Sequence, residues 1–91
     1  MLDLLVEFVG SAILMGVIVN SSGDAVSVGI ALAAMILFGG AISGGHFNPA
    51  VSLLMFMRGS MSQTKLFSYV AAQLLASVGV FHFLKAAKGR K

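Results

Sequence analysis

The chain has 91 residues, of which 58% are hydrophobic and 10% charged, with a formal net charge of +3 and no cysteine. Its mean hydropathy is +1.00, which is more apolar surface than one small soluble core could hide. Disulfides and thiolate metal sites are excluded. The few basic residues lack the aromatic interleaving of a nucleic-acid-binding protein. Composition therefore predicts a protein that lives in a lipid bilayer.

Three apolar stretches are long enough to cross a membrane, at residues 4–20, 25–42 and 66–84. Each approaches the roughly 20 residues that an α-helix needs to span a hydrocarbon core of about 30 Å. The first stretch lacks the basic start and the small-residue cleavage site of a secretory signal, so it counts as a span. The polar loop 21–24 is short, which makes the first two helices antiparallel neighbours. We expect an integral, multi-pass membrane protein in which residues 1–91 form one domain.

The second span leads into a break in the apolar pattern. Residues 43–52 read Ser-Gly-Gly-His-Phe-Asn-Pro-Ala-Val-Ser; Asn48 is a favoured N-cap and Pro49 a favoured first helical residue. The helix should stop at Gly59, after about 13 Å, too short to cross the bilayer. Irregular backbone is tolerated at membrane depth only where protein encloses it or it lines a water-filled path. Residues 43–58 are therefore predicted to form a re-entrant loop and half-helix at a pore or binding site.

Three short patterns follow one another along the chain: Glu-Phe-Val-Gly at 7–10, Ser-Gly-Gly-His-Phe-Asn-Pro-Ala-Val at 43–51, and Tyr-Val-Ala-Ala-Gln at 69–73. They resemble, in order, the first span, the first signature loop and the third span of the aquaporin family, the major intrinsic proteins. The resemblance covers essentially the whole chain but only the N-terminal half of a normal member. It implies an all-α membrane protein: three transmembrane helices plus one re-entrant half-helix, half of an aquaporin fold, completed by an inverted second copy.

The resemblance also implies a channel for water and small uncharged solutes such as glycerol. Its pore motif is Asn48, Pro49 and Ala50, and its pore-lining carbonyls are those of Gly44, Gly45 and His46. The Asn48 side-chain amide would donate hydrogen bonds to a passing oxygen while the carbonyls accept. His46 is expected to brace the loop, with a pH gate as the alternative.

Four further residues take roles from the same resemblance. Val28 stands where the family places a constriction side chain that is often aromatic. Val51 follows Ala50 where the family's second loop carries its selectivity arginine, which suggests a wider pore. Glu7 would accept hydrogen bonds from backbone N–H groups of the loop, the alternative being a solvated position near the headgroups, and Gln73 would bond a neighbouring helix or loop.

One half-helix cannot enclose a pore, so a second half-channel chain is expected as partner, most simply an inverted copy. The basic residues are divided between the two sides of the membrane and so predict only a weak preference for one orientation of the chain. Arg58 and Lys65 lie on the side of the N-terminus, and Lys85, Lys88, Arg90 and Lys91 lie opposite. That small bias suits insertion in both directions. The resemblance leaves open an assembly of four pores.

Three other interpretations stay open: a fragment of a six-span channel, a subunit that joins other half-channels, and a non-transporting membrane interaction protein. Three acids, two distant histidines and no cysteine provide no catalytic constellation, so we expect neither an enzyme nor a cofactor or metal site.

Overall fold

The structure, a computed structural model, describes residues 1–89, so Arg90 and Lys91 of the charge count lie outside the described residues. It contains the helices α1 (Leu2–Asn20), α2 (Ala25–Ser43), α3 (Pro49–Met57) and α4 (Gln63–Gly89). Three of these, α1, α2 and α4, are long and apolar enough to cross a membrane. The prediction of an all-α protein with three membrane-spanning helices is confirmed.

Capping residues set the ends of α3. Asn48 caps its start, where the side-chain Oδ1 accepts a hydrogen bond of 2.8 Å from the Ala50 N–H. At its end, Ser60 N–H donates to the Met55 carbonyl over 2.9 Å, and Gly59 has a φ of +83°. This is a glycine C-cap, in which backbone N–H groups that follow the helix donate to its last carbonyls.

The fourth helix is longer than the predicted span of 66–84. It begins at Gln63 because the Ser62 hydroxyl oxygen accepts a hydrogen bond of 3.1 Å from the Lys65 N–H, which caps the new helix three residues earlier. It continues to Gly89. The helix thus includes polar ends that a hydropathy pattern alone does not count.

Helix α1 lies in the middle of the fold, with α2 on one side and α4 on the other, and α3 packs on α4. The Lys65 ammonium lies 3.0 Å from the Asp3 carboxylate, so α1 and α4 start at the same face and run parallel. Within residues 1–89 the backbone of α2 does not come close to that of α3 or α4, although the Tyr69 side chain of α4 reaches the last residue of α2, Ser43, with a hydrogen bond. The loop between α2 and α3 must therefore be held mainly by α1 and α4.

Much apolar surface is left uncovered. The accessible area is 5984 Å², against about 5,000 Å² for a soluble protein of 9.4 kDa. Large apolar side chains contribute to it, with Leu37 82% and Phe38 81% exposed. Such a surface is suited to lipid or to a protein partner.

Candidate pore site

The loop from Gly44 to Asn48 has a backbone that ordinary residues avoid. The φ angles are +92° at Gly44 and +67° at Gly45, where glycine carries no steric penalty. Phe47 also has a positive φ, of +53°, which costs a residue with a side chain about 1 kcal/mol or more. Contacts elsewhere must compensate for this strain.

The Phe47 ring is inserted between α1 and α2 and is only 1% exposed. A Cβ atom on Gly10 would lie 2.2 Å from its Cε1 atom, and one on Gly39 would lie 3.7 Å from its Cζ atom. Gly10 therefore leaves the slot that the ring fills, whereas Gly39 borders the ring at ordinary contact distance and leaves room for Val6, whose Cγ1 atom would lie 2.5 Å from a Cβ atom there. Sequence reasoning missed this role of Phe47, although Gly10 was part of the first family-like pattern.

A fully buried carboxylate holds the loop in place. Glu7 is 0% exposed, and its Oε2 accepts from the Ser43 hydroxyl over 2.7 Å and from the His46 N–H over 3.1 Å. Its Oε1 accepts from the Phe47 N–H over 2.8 Å and from the Gln73 amide over 2.9 Å. A carboxylate only accepts, and four donors meet it here. Glu7 thus joins α1 to α2, to the loop and to α4, a position unlike the headgroup alternative.

A second layer of polar contacts supports the first. The buried Ser52 hydroxyl of α3 lies 2.8 Å from His46 Nδ1 and accepts from the Gln73 amide over 2.9 Å. The Tyr69 hydroxyl donates to the Ser43 carbonyl over 2.7 Å. The His46 and Tyr69 rings lie 5.1 Å apart. His46 is thereby held as part of the brace, and Ser43, Ser52 and Tyr69 are supporting residues to which sequence reasoning assigned no individual role.

One side of the loop faces outward. The Asn48 side chain is exposed, and because its Oδ1 is engaged by Ala50 N–H, its NH₂ group points away from the helix. The carbonyls of Gly44, Gly45 and His46 accept no hydrogen bond from any donor within residues 1–89. The Asn48 NH₂ group and three nearby backbone carbonyls therefore have no hydrogen-bond partner in the described part of the chain.

The two valines predicted as constriction residues lie on different helices. Val28 is half-buried in the second turn of α2, about 24 Å along the helix from Gly44. Val51 is half-buried in the first turn of α3. The fold of one chain does not bring them together, because α2 and α3 do not pack on each other in the described part.

Three spans and a braced, re-entrant half-helix define a polytopic membrane protein with a polar interruption at membrane depth. The chain belongs to the Major intrinsic protein family, whose profile matches residues 3–91. The similar proteins include some named as aquaporins and one named as a glycerol uptake facilitator. Probable aquaporin TIP4-1 of Oryza sativa subsp. japonica is 38% identical over 71 residues, which cover 78% of this chain and 27% of the relative.

Two further relatives come from a mammal and a bacterium. Lens fiber major intrinsic protein of Homo sapiens is 44% identical over 54 residues, covering 59% of this chain and 20% of the relative. Glycerol uptake facilitator protein-like 6 of Lactiplantibacillus plantarum is 34% identical over 83 residues, which cover 81% of this chain and 38% of the relative. The chain thus spans between a fifth and two fifths of the length of these relatives. No solved structure matches it at a significant level.

Proposed function

We propose that the chain is one half of a membrane channel for the passive flux of water and small neutral solutes such as glycerol, completed by a second half-channel chain in the inverted orientation. The observation that carries the proposal is the outward-facing Asn48 amide beside three carbonyls without an internal donor. The names of the relatives, aquaporin and glycerol uptake facilitator, favour the same solutes. Channel family membership also speaks against an enzyme.

The mechanism follows from hydrogen-bond exchange. A permeant oxygen accepts from the Asn48 NH₂ group, and its own hydrogens reach the carbonyls of Gly44, Gly45 and His46. Each molecule then gives up water partners for protein partners with little net loss. The start of α3 adds roughly half a positive elementary charge beside Asn48, which repels protons and cations but not a neutral solute.

The buried Glu7 network makes the arrangement rigid. Polar groups on a loop act on a passing solute only if they do not collapse onto one another. Two of the four hydrogen bonds to the Glu7 carboxylate come from the backbone N–H groups of His46 and Phe47, directly before Asn48, and the other two, from Ser43 and Gln73, hold the carboxylate itself. The brace therefore keeps the donor and the acceptors apart.

A partner is required because the Asn48 side of the loop is open. Asn48 and Ala50 are both exposed in the single chain, and a water path at membrane depth needs a second protein wall. An inverted copy would place a second half-helix opposite the first, with two-fold symmetry in the membrane plane. Arg58 and Lys65 lie towards one face and Lys85 and Lys88 towards the other, with Arg90 and Lys91 following in the sequence; two basic residues against four is a small orientation bias, which suits insertion in both directions.

Osmotic shrinkage of proteoliposomes tests the activity. Wild-type vesicles should shrink faster than empty ones, and Asn48→Asp should remove most of that difference. Aspartate can still accept from Ala50 N–H and cap α3, but it cannot donate to the permeant. Ser60→Ala, in the exposed turn after α3, is the matched control and should conduct like wild type. If wild-type vesicles shrink no faster than empty ones, the channel proposal fails and the non-transporting alternative is favoured.

The same assay with water, glycerol and urea addresses selectivity. We propose that Val28 narrows the path less than an aromatic side chain would. Val28→Phe should then reduce glycerol flux more than water flux. Equal loss of both fluxes would argue against a constriction at Val28.

The inverted assembly is tested by mapping topology. The chain has no cysteine, so Ser22→Cys and Ser60→Cys each offer one thiol on opposite faces. If both orientations occur, an impermeant maleimide should label a fraction of each variant from outside intact vesicles. Labelling of only one variant would reject the antiparallel homodimer and favour a subunit that joins a different half-channel.

A further inference from the structure

A groove runs between the C-terminal halves of α1 and α4, further along these helices than the pore loop's brace. It has a volume of about 410 Å³ and is lined by Met15 and Val19 of α1 and by Ser77, Val80, Phe81 and Leu84 of α4. Lys85 and Lys88 lie at its mouth. From Ser77 to Lys88 the groove follows the helix for about 16 Å.

The two lysines share the helix face of the groove. Ser77, Phe81, Lys85 and Lys88 are four, four and three residues apart, the spacing of side chains that stack on one face. Both lysines are exposed, and neither forms a salt bridge within residues 1–89. The mouth of the groove is therefore cationic while its wall is apolar.

The length of α4 places the boundary between the apolar wall of the groove and its cationic mouth at a membrane surface. Helix α4 has 27 residues and is about 40 Å long, which exceeds a hydrocarbon core of about 30 Å. The ammonium groups near its end reach headgroup level, and the apolar residues one to three turns earlier stay among the acyl chains. Basic groups at such a depth favour anionic lipids.

We propose that this groove binds an anionic phospholipid, with the phosphate at Lys85 and Lys88 and an acyl chain along Val80 and Leu84. The lipid supplies both the negative charge and the apolar chain that the groove lacks. The site is independent of whether the chain conducts water.

Spin-labelled lipids measure the proposal directly. The full chain is reconstituted into phosphatidylcholine vesicles that contain a trace of spin-labelled phosphatidylglycerol or spin-labelled phosphatidylcholine. Electron spin resonance then gives the fraction of each label immobilised at the protein. We expect phosphatidylglycerol to associate at least fivefold more strongly, since each of the two lysines near the surface contributes about that factor.

Three variants separate a groove site from diffuse surface charge. Lys85→Gln with Lys88→Gln should remove most of the preference, while the charge-preserving pair of arginine substitutions should retain it. Ser77→Phe fills the groove without changing charge, and it should lower the preference by more than half. Circular dichroism checks that each variant keeps its helices. No preference in wild type, an unchanged preference in the double glutamine variant, or an unchanged preference in Ser77→Phe would each overturn the proposal.

Discussion

The Phe47 ring occupies the space that a side chain on Gly10 would need, since a Cβ atom there would come within 2.2 Å of the ring. This contact links the signature-like loop to the first span. It allows Phe47 to hold a left-handed backbone just before Asn48. The orientation of the half-helix thus depends on the absence of one methyl group in a different helix.

Substituting Gly10→Ala should destabilise the fold by about 1 to 3 kcal/mol, the usual cost of overpacking a filled site. Gly16→Ala is the matched control on the same helix, because nothing lies within 4 Å of a Cβ atom there. It should be neutral or slightly stabilising, since alanine favours the helix. Thermal unfolding in detergent, followed by circular dichroism, compares the two. Equal melting temperatures for both variants would contradict the slot.

Substituting Glu7→Gln should cost about 2 to 4 kcal/mol of unfolding free energy. The glutamine amide would place its own NH₂ against donors that now meet a carboxylate oxygen, leaving buried N–H groups without partners. Asp3→Asn is the control: it also removes a carboxylate charge, but the cations that Asp3 binds, the Lys65 ammonium and the terminal amine, are exposed and stay solvated without it, so the loss should be smaller. Chemical unfolding in mixed micelles measures both. A Glu7→Gln loss no larger than that of Asp3→Asn would show that the network does not hold the loop.

Asp24 should give the fold a measurable acid sensitivity. Hydrogen bonds from the Ser27 backbone N–H and hydroxyl lower the pKa of Asp24 from its ordinary 3.8. A lowered folded-state pKa means that the stabilisation is complete above the unfolded value and is lost as pH falls through the folded value. Asp24→Asn keeps the cap but cannot ionise. Between pH 7 and pH 3 the wild-type melting temperature should therefore fall further than that of Asp24→Asn; parallel curves would contradict this assignment.

The sequence predicted the helices because their signals are local. Hydropathy identified the spans, and the Asn48-Pro49 pair together with Gly59 marked both ends of α3. The start of α4 at Gln63 was missed because a single Ser62 hydroxyl decides it.

Much of the brace could not be predicted from local pattern. The burial of Phe47 depends on Gly10 in another helix, and the Ser52 hydroxyl meets His46 and Gln73 only after α3 has folded back onto α4. Glu7, an acid within a span, was expected to support the loop by family resemblance, and Gln73, a polar residue in mid-span, to bond a neighbouring helix or loop. Their shared hydrogen bond joins residues 66 positions apart, which no local periodicity encodes.

Reversible block of water flux through Ala50→Cys is the most direct measurement of the central proposal. The chain has no cysteine of its own, and Ala50 is exposed beside Asn48. Ser60→Cys, labelled to the same extent in the turn outside the half-helix, is the control. We predict that a bulky methanethiosulfonate slows osmotic shrinkage of Ala50→Cys proteoliposomes to the rate of empty vesicles, that a reducing agent restores it, and that Ser60→Cys is unaffected. Fully labelled Ala50→Cys vesicles that shrink as fast as unlabelled ones would contradict a pore at this site.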